Sequence, residues 1–181
     1  MIGKKVALRA IEISDADHIY RWENDPDIWL VSNTITPFSR YIIEQYILQS
    51  DQDIFSARQL RLMIDFMDGN NWVPAGTIDL FEFDPYHKRA GVGILVSSEF
   101  RRQGIATEAL QLLKTYAFET LQLHQLYCHI AVDNDVSIDL FRRCGFEVTG
   151  TRKEWLSRKN QWVDEIFLQC MNPEYHDKKT N

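Results

Sequence analysis

Apolar and polar positions change period several times along the chain, and each change marks an element. Val6 to Ile11 alternates, which predicts a first strand. Within Asp15 to Asn24, Ala16, Ile19 and Tyr20 recur at helical spacing. Ser14 and Asp15 are its N-cap candidates, and Asn24-Asp25-Pro26-Asp27 stops it. Ile28 to Thr36 is aromatic and polar without a clear period and reads as a loop. Pro37 and Phe38 open a second helix that runs to about Gln49, with Ile42, Ile43, Tyr46 and Ile47 as its apolar face. Ala57 to Phe66 and Trp72 to Phe83 read as partner strands across the turn residues Asp68-Gly69-Asn70-Asn71. Asp84-Pro85-Tyr86-His87 then turns the chain into a third strand of this set, Arg89 to Val96.

The second half continues in the same way. From Glu108 to Leu121, Ala109, Leu110, Leu113, Tyr116 and Ala117 fall at helical spacing. Leu126 to Val132 is a short apolar strand. Asp133-Asn134-Asp135 caps a helix from about Val136 to Arg143, and Gly145 ends it at C′. Phe146 to Leu156 and Gln161 to Met171 predict a last hairpin across Ser157-Arg158-Lys159-Asn160, and the residues after Asn172 form a polar tail.

Between the Arg89–Val96 strand and the following helix lies Arg101-Arg102-Gln103-Gly104-Ile105-Ala106-Thr107. A helix start has backbone N–H groups without partners and a positive dipole end, so a glycine loop there suits phosphate. Gly104 lets the backbone approach closely, and Arg101 and Arg102 add positive charge at the rim. The motif is neither the P-loop nor the dinucleotide G-x-G-x-x-G. Taken alone, so short a motif reads more readily as a surface turn with a helix cap.

Composition narrows the classes. The 181 residues suffice for one domain with a substantial core. A formal charge of −6 gives no nucleic-acid footprint. No secretory h-region follows the N-terminal lysines, and no apolar run reaches the ~18 residues of a membrane span, so a cytoplasmic location is expected. Cys128, Cys144 and Cys170 are odd in number and lack C-x-x-C spacing. They read as reduced, buried thiols and not as a disulfide frame or zinc site, and no metal is expected.

The order strand, glycine loop, helix, strand, Asn, short helix, Gly-Phe, strand, strand resembles the GNAT superfamily of N-acetyltransferases over roughly Val6 to Met171. Arg101 to Ala106 is similar to its Gln/Arg-x-x-Gly-x-Gly/Ala loop. Asn134 to Phe146 is similar to its N-x-x-[AS]-x-x-x-x-x-x-x-G-F pattern. Asn160-Gln161-Trp162-Val163-Asp164 looks like the Gly-x-Tyr/Trp-x-Asp strand of the RimJ/RimL-like and spermidine acetyltransferase branch. The resemblance implies an α/β (α+β) GNAT domain over residues 1–172 with a tail over 173–181. It implies a mixed central sheet of about seven strands, splayed between strands 4 and 5, with about four helices. It implies acetyl-CoA as co-substrate and transfer of its acetyl group to a primary amine.

For the site, the resemblance implies that residues Arg101, Arg102, Gln103, Gly104, Ile105, Ala106 and Thr107 hold the pyrophosphate of the cofactor. The pantetheine arm would pair like a strand with the backbone of Ile94, Leu95 and Val96, and the Leu95 or Val96 N–H would polarise the thioester carbonyl. Asn134 would bond the pantetheine amide, as well as capping its helix. Three positions depart from the pattern. Phe141 stands where many members have a Tyr that protonates the leaving thiolate. Gly91 stands where spermidine acetyltransferases have a Glu, and Ile35-Thr36 where they have an acidic pair. Phe141 is still expected at the cofactor. His129, five residues before Asn134, is the candidate base and Ser137 the candidate acid, with Asp79, Glu82 and Glu154 as weaker choices. Alternation puts Tyr127, His129 and Ala131 on one strand face. The acceptor is left open among a protein N-terminus, an amino sugar, an amino acid and a polyamine. An acyl-CoA-binding module without transferase activity, an interaction scaffold, and a homo-oligomer are also left open.

Overall fold

The computed structural model describes residues 1–32, 35–49, 53–158 and 160–176. Seven strands form one mixed sheet in the order β1-β2-β3-β4-β5-β7-β6. They are β1 (Val6–Ala10), β2 (Leu60–Asp68), β3 (Asn71–Asp84), β4 (Arg89–Val96), β5 (Gln125–Ala131), β6 (Glu147–Arg158) and β7 (Gln161–Met171). All neighbours pair antiparallel except β4 and β5, which are parallel.

Seven α-helical segments occur among the described residues, against about four expected. The long ones follow the apolar periods: α1 (Ala16–Glu23), α3 (Arg40–Leu48), α5 (Ile105–Thr115) and α6 (Asp135–Arg143), with α2 (Pro26–Ser32) between the first two. The expected loop from Ile28 is therefore helical through Ser32, and residues 33 and 34 lie outside the described residues. Pro26 suits the first turn of α2, because its missing N–H is not needed there. Single turns α4 (Ile54–Ala57) and α7 (Pro173–His176) complete the set. Ala57, expected at the start of a strand, ends α4, where Asp53 caps the helix through the N–H groups of Phe55 and Ser56. The apolar spacing that ran to Leu121 is realised as α5 followed by a π-helical turn, Tyr116–Thr120. Lys159, in the expected last turn, lies outside the described residues.

α5 and α6 cover one face of the sheet. Ile105, Ala109, Leu110 and Leu113 of α5 pack on Leu8, Ile64, Ile78, Leu80, Leu126 and Ile130 in the main core. α1, α2 and α3 cover the other face at the β1–β2 side through Ile19, Trp22, Ile28, Ile43, Ile47 and Met63. Arg9 of β1 joins this layer to the sheet, pairing with Asp15 and Asp65, each at 2.7 Å. On that second face, among the described residues, no helix layer covers the part over β5, β7 and β6, and the cleft described below opens there. The three cysteines are buried and free, and burial raises each thiol above its ordinary value, so none is poised as a nucleophile.

Candidate active site

The parallel ladder between β4 and β5 is short. It pairs Arg89 with Gln125, Ala90 with Leu126 and Gly91 with Tyr127, and then stops. Both strands continue beyond that point, to Val96 and Ala131, so they diverge as a V. The register shows which backbone groups face the gap. Ser97 N–H donates to Ala75 O, so odd-numbered β4 residues exchange bonds with β3 and even-numbered ones face β5. Val132 N–H donates to Asp164 O, which leaves odd-numbered β5 residues facing β4. Ile94 and Val96 therefore present N–H groups to the gap from one side, and His129 and Ala131 from the other. The N–H of Leu95, an expected carbonyl donor, is directed to β3, which leaves Val96 of the two. The Val96 carbonyl is taken by Arg101 Nε at 3.2 Å.

The glycine loop lies at the open end of this V. Gly104 is the N-cap of α5 with φ +80°, a left-handed conformation, and a Cβ built there meets nothing within 4 Å. The backbone N–H groups of residues 102–107 make no hydrogen bond to the protein among the described residues. Arg101, Arg102, Gln103 and Gly104 are exposed, while Ile105 is buried under the helix and anchors it. Unpaired donors, a positive helix end and open space coincide, which is the physical requirement for an anion. Glu108, one turn on, is turned away and accepts from Lys4 N–H and Lys5 N–H.

The expected strand face is realised at the apex of the V. Tyr127 and His129 point into the uncovered cleft, while Cys128 and Ile130 lie in the main core. The cleft encloses about 650 Å³ and is lined in part by Arg58, Glu82, Tyr127, His129, Arg152 and Phe167. Tyr127 Oη donates to Glu82 at 2.7 Å, and burial, followed by this bond, raises the phenol pKa. Glu82 reaches the cleft because β3 bulges there: its register against β4 breaks between Phe81 and Asp84, and Glu82 takes φ +48°. The His129 ring packs 5.0 Å from that of Phe167 and 5.5 Å from that of Tyr127. Its Nδ1 is buried, without a hydrogen-bond partner among the described residues, 3.9 Å from Glu165 Oε2. Glu165 itself accepts from Arg152 at 2.9 Å. Burial first and Arg152 second lower the imidazole pKa, against opposing pulls from Glu165 and Glu82. The ring is thus neutral at pH 7. The nearby carboxylate favours the proton on Nδ1, so Nε2 is the nitrogen able to accept.

The other anticipated residues fall in different places. Asn134 caps α6, its Oδ1 accepting from Ser137 N–H at 3.2 Å. Asp79 is paired with Arg61 at 2.5 Å, and Arg61 also pairs with Glu23. Glu154 is exposed and does not line the cleft. Phe141 is only 3 % exposed and packs edge-on against Phe146, 4.9 Å away, in the core under α6. Phe141→Tyr is accordingly expected to bury a hydroxyl among apolar groups, costing about 1–3 kcal/mol, without raising turnover. Urea unfolding and steady-state kinetics on that variant check both halves.

Gly93, on the same strand face as Gly91, leaves space beside Asp79. Gly91 does not: a Cβ there would come 2.3 Å from the Phe81 ring. Phe81 in turn packs edge-to-face on Tyr127. Sequence reasoning missed Tyr127, Arg152 and Arg58 as cleft residues. For Tyr127 the signal was its alternation with His129. For the arginines there was none, because bulged registers and a left-handed turn place them.

Residues 5–147 match the model of the acetyltransferase (GNAT) domain. The chain belongs to the GNAT acetyltransferase family. It is similar to the spermidine N(1)-acetyltransferase of Escherichia coli, 28% identical over 173 residues, covering 94% of this chain and 88% of that protein. It is similar to the Vibrio cholerae enzyme of the same name, 25% identical over 183 residues, covering 98% and 92%. The solved structure of spermidine N-acetyltransferase from Vibrio cholerae in complex with CoA and spermine superposes with a TM-score of 0.84 at 23% identity, covering 96% of this chain and 99% of that one. A putative ribosomal N-acetyltransferase of Bacillus subtilis is 31% identical over 104 residues, covering 58% of this chain and 57% of that protein. This GNAT protein is thus an N-acetyltransferase that uses acetyl-CoA to acetylate an amine. Among the described residues no cluster of His, Cys, Asp and Glu could hold a metal, and no helix is long and apolar enough to cross a membrane.

The polyamine relatives make position 91 a direct test. Gly91→Glu introduces the carboxylate that the family resemblance implies for spermidine acetyltransferases at this position, but it must displace Phe81. It is expected to lower stability by about 1–3 kcal/mol, as overpacking does, and to leave spermidine acetylation no better than wild type. A thermal melt and a spermidine assay measure both effects.

Proposed function

We propose that this acetyltransferase works by direct transfer, with acetyl-CoA in the V between β4 and β5 and His129 as the general base. The observation that carries the proposal is the place where the β4–β5 ladder ends. His129 is the first cleft-facing β5 side chain past the last pair, Gly91–Tyr127. In this reading the pyrophosphate lies on the N–H groups of residues 102–107, flanked by Arg101 and Arg102. The pantetheine amides add to the free edges at Ile94 and Val96, and Asn134 stands across the gap. Acetyl-CoA supplies the activated acyl group. A neutral His129 removes the amine proton through Nε2, and the amine nitrogen attacks the carbonyl carbon as the C–S bond breaks. The Val96 N–H faces the carbonyl oxygen. With Phe141 buried, the thiolate leaves unprotonated or takes a proton from Ser137 or water. A free thiol pKa near ~8.5 makes such departure accessible.

The acceptor approaches through the cleft lined by Glu82, His129 and Arg152, on the side away from the glycine loop. A cytoplasmic location belongs to the proposal, as does self-association, which a dodecameric Vibrio cholerae spermidine N-acetyltransferase supports by analogy. Thiol release from acetyl-CoA with a panel of amines, with products identified by mass spectrometry, tests the core of it. One N-acetyl product per thiol is expected. Thiol release without amine acetylation overturns the proposal.

A further inference from the structure

Charged groups in the cleft are not evenly paired. Arg89 meets Asp84 at 3.3 Å, and Arg152 meets Glu165 at 2.9 Å. Two charges remain. Among the described residues, Glu82 accepts only from the neutral hydroxyl of Tyr127. The side chain of Arg58 has no hydrogen bond or ion pair among the described residues, although it lines the same cleft. Arg58 is held at that rim by its backbone. It is the left-handed C-cap of α4 with φ +52°, and its carbonyl accepts from Phe83 N–H at 2.9 Å, one residue beyond Glu82. An uncompensated cation and an uncompensated anion therefore share one rim, on either side of the strand bulge that faces His129.

We infer that the acceptor amine of this enzyme carries an anionic group, a carboxylate or a phosphate, which pairs with Arg58 while the ammonium docks at Glu82 beside His129. The inference rests on the reading of this cleft as the acceptor side. Both side chains are exposed at the rim, and an acceptor of this kind pairs with both at once. A polyamine satisfies only Glu82 and places a further ammonium group near the unpaired Arg58, where like charge is repelled. Position 91 adds no carboxylate, and Phe81 fills the space over it. The spermidine enzymes to which the chain is similar thus differ from it in the acceptor that the cleft fits. Before transfer, the ammonium gives one proton to His129. The neutral amine then forms the C–N bond as the C–S bond breaks, the nitrogen's excess proton passes to water as the thiolate departs, and the anionic group takes no part in the chemistry.

The test compares initial rates at saturating acetyl-CoA for spermidine, an uncharged monoamine, free α-amino acids and a phosphorylated amino sugar. At least one of the two anion-bearing sets is expected to exceed both others by tenfold or more in kcat/KM, and which one does so identifies the anion. Arg58→Glu is expected to raise KM for that acceptor about 10- to 100-fold, more than it lowers kcat, while Arg58→Lys recovers most of the loss. Preference for spermidine or the monoamine overturns the inference and leaves the transferase reading standing. An Arg58→Glu defect confined to kcat also overturns it. If no amine is acetylated, the transferase reading fails, and calorimetry with the enzyme–CoA complex decides the rest. Arg58-dependent binding of an anion-bearing amine supports the inference, and no such binding overturns it.

Discussion

Replacing Gly104 with Glu is expected to abolish acetyl-CoA binding, with an affinity loss of at least about 100-fold in calorimetry. Two effects combine. Gly104 sits at φ +80°, where any side chain is strained by roughly 1–3 kcal/mol. The larger effect is electrostatic. The new carboxylate would stand in open space at the positive end of α5, where the proposal puts two phosphates. At an effective dielectric near 20, like unit charges about 4 Å apart repel by about 4 kcal/mol. Gly104→Ala separates the two effects, since it carries the strain without the charge. It is expected to lower the melting temperature by a few degrees and to weaken acetyl-CoA by no more than about tenfold. A folded Gly104→Glu protein with wild-type affinity would remove the loop from the site.

The second large effect is expected at His129. A positioned base contributes ~10²–10⁴ in rate, so His129→Ala should lower kcat/KM by that range while acetyl-CoA affinity changes by less than about twofold. The pH profile distinguishes a base from a packing role. The imidazole pKa is lowered by burial and then by Arg152. The wild-type rate should therefore hold at pH 6.5, the ordinary imidazole value, and fall only at lower pH. The mutant should lose that acid limb. The linkage to stability has a fixed sign. Because the folded pKa is below the unfolded one, the neutral buried ring contributes fully above about pH 6.5. That contribution is lost as pH falls from there through the folded value. The stability gap between wild type and His129→Ala should consequently narrow between pH 7.5 and 5 in urea unfolding. If the mutant turns over like wild type, the base is elsewhere, and Glu82, which shares the cleft, is the next position to change.

Both predictions use residues that stand out in the amino-acid sequence, but for different reasons. Gly104 is local. A glycine between an apolar strand and the first turn of a helix carries its own geometry, and the unpaired N–H groups follow from the helix alone. The boundaries of β4 and β7 are equally legible, because their apolar runs end at sharp polar turns. The short helices are not. α2 is seven residues long and α4 only four, too short for a 3.6-residue period to stand out.

His129 is placed on a strand face by alternation, but alternation does not say what a face meets. That the face looks into a cleft depends on where the β4–β5 ladder stops, and three pairs followed by divergence leave no mark in either strand. Phe141 shows the opposite limit. Its spacing from Asn134 matches a family position, yet its ring turns into the core against Phe146. The charges of the cleft are decided still further from the sequence. Arg58, Glu82 and Arg152 lie up to 94 positions apart and meet through a left-handed turn, a bulge in β3 and a bulged β6–β7 register. Local pattern thus determined the strands, the main helices and the phosphate-like loop, because those depend on hydrogen bonds and side-chain period within a few residues. Only the tertiary structure decided which charges stay unpaired around His129, because pairing depends on distances between segments that no single segment encodes.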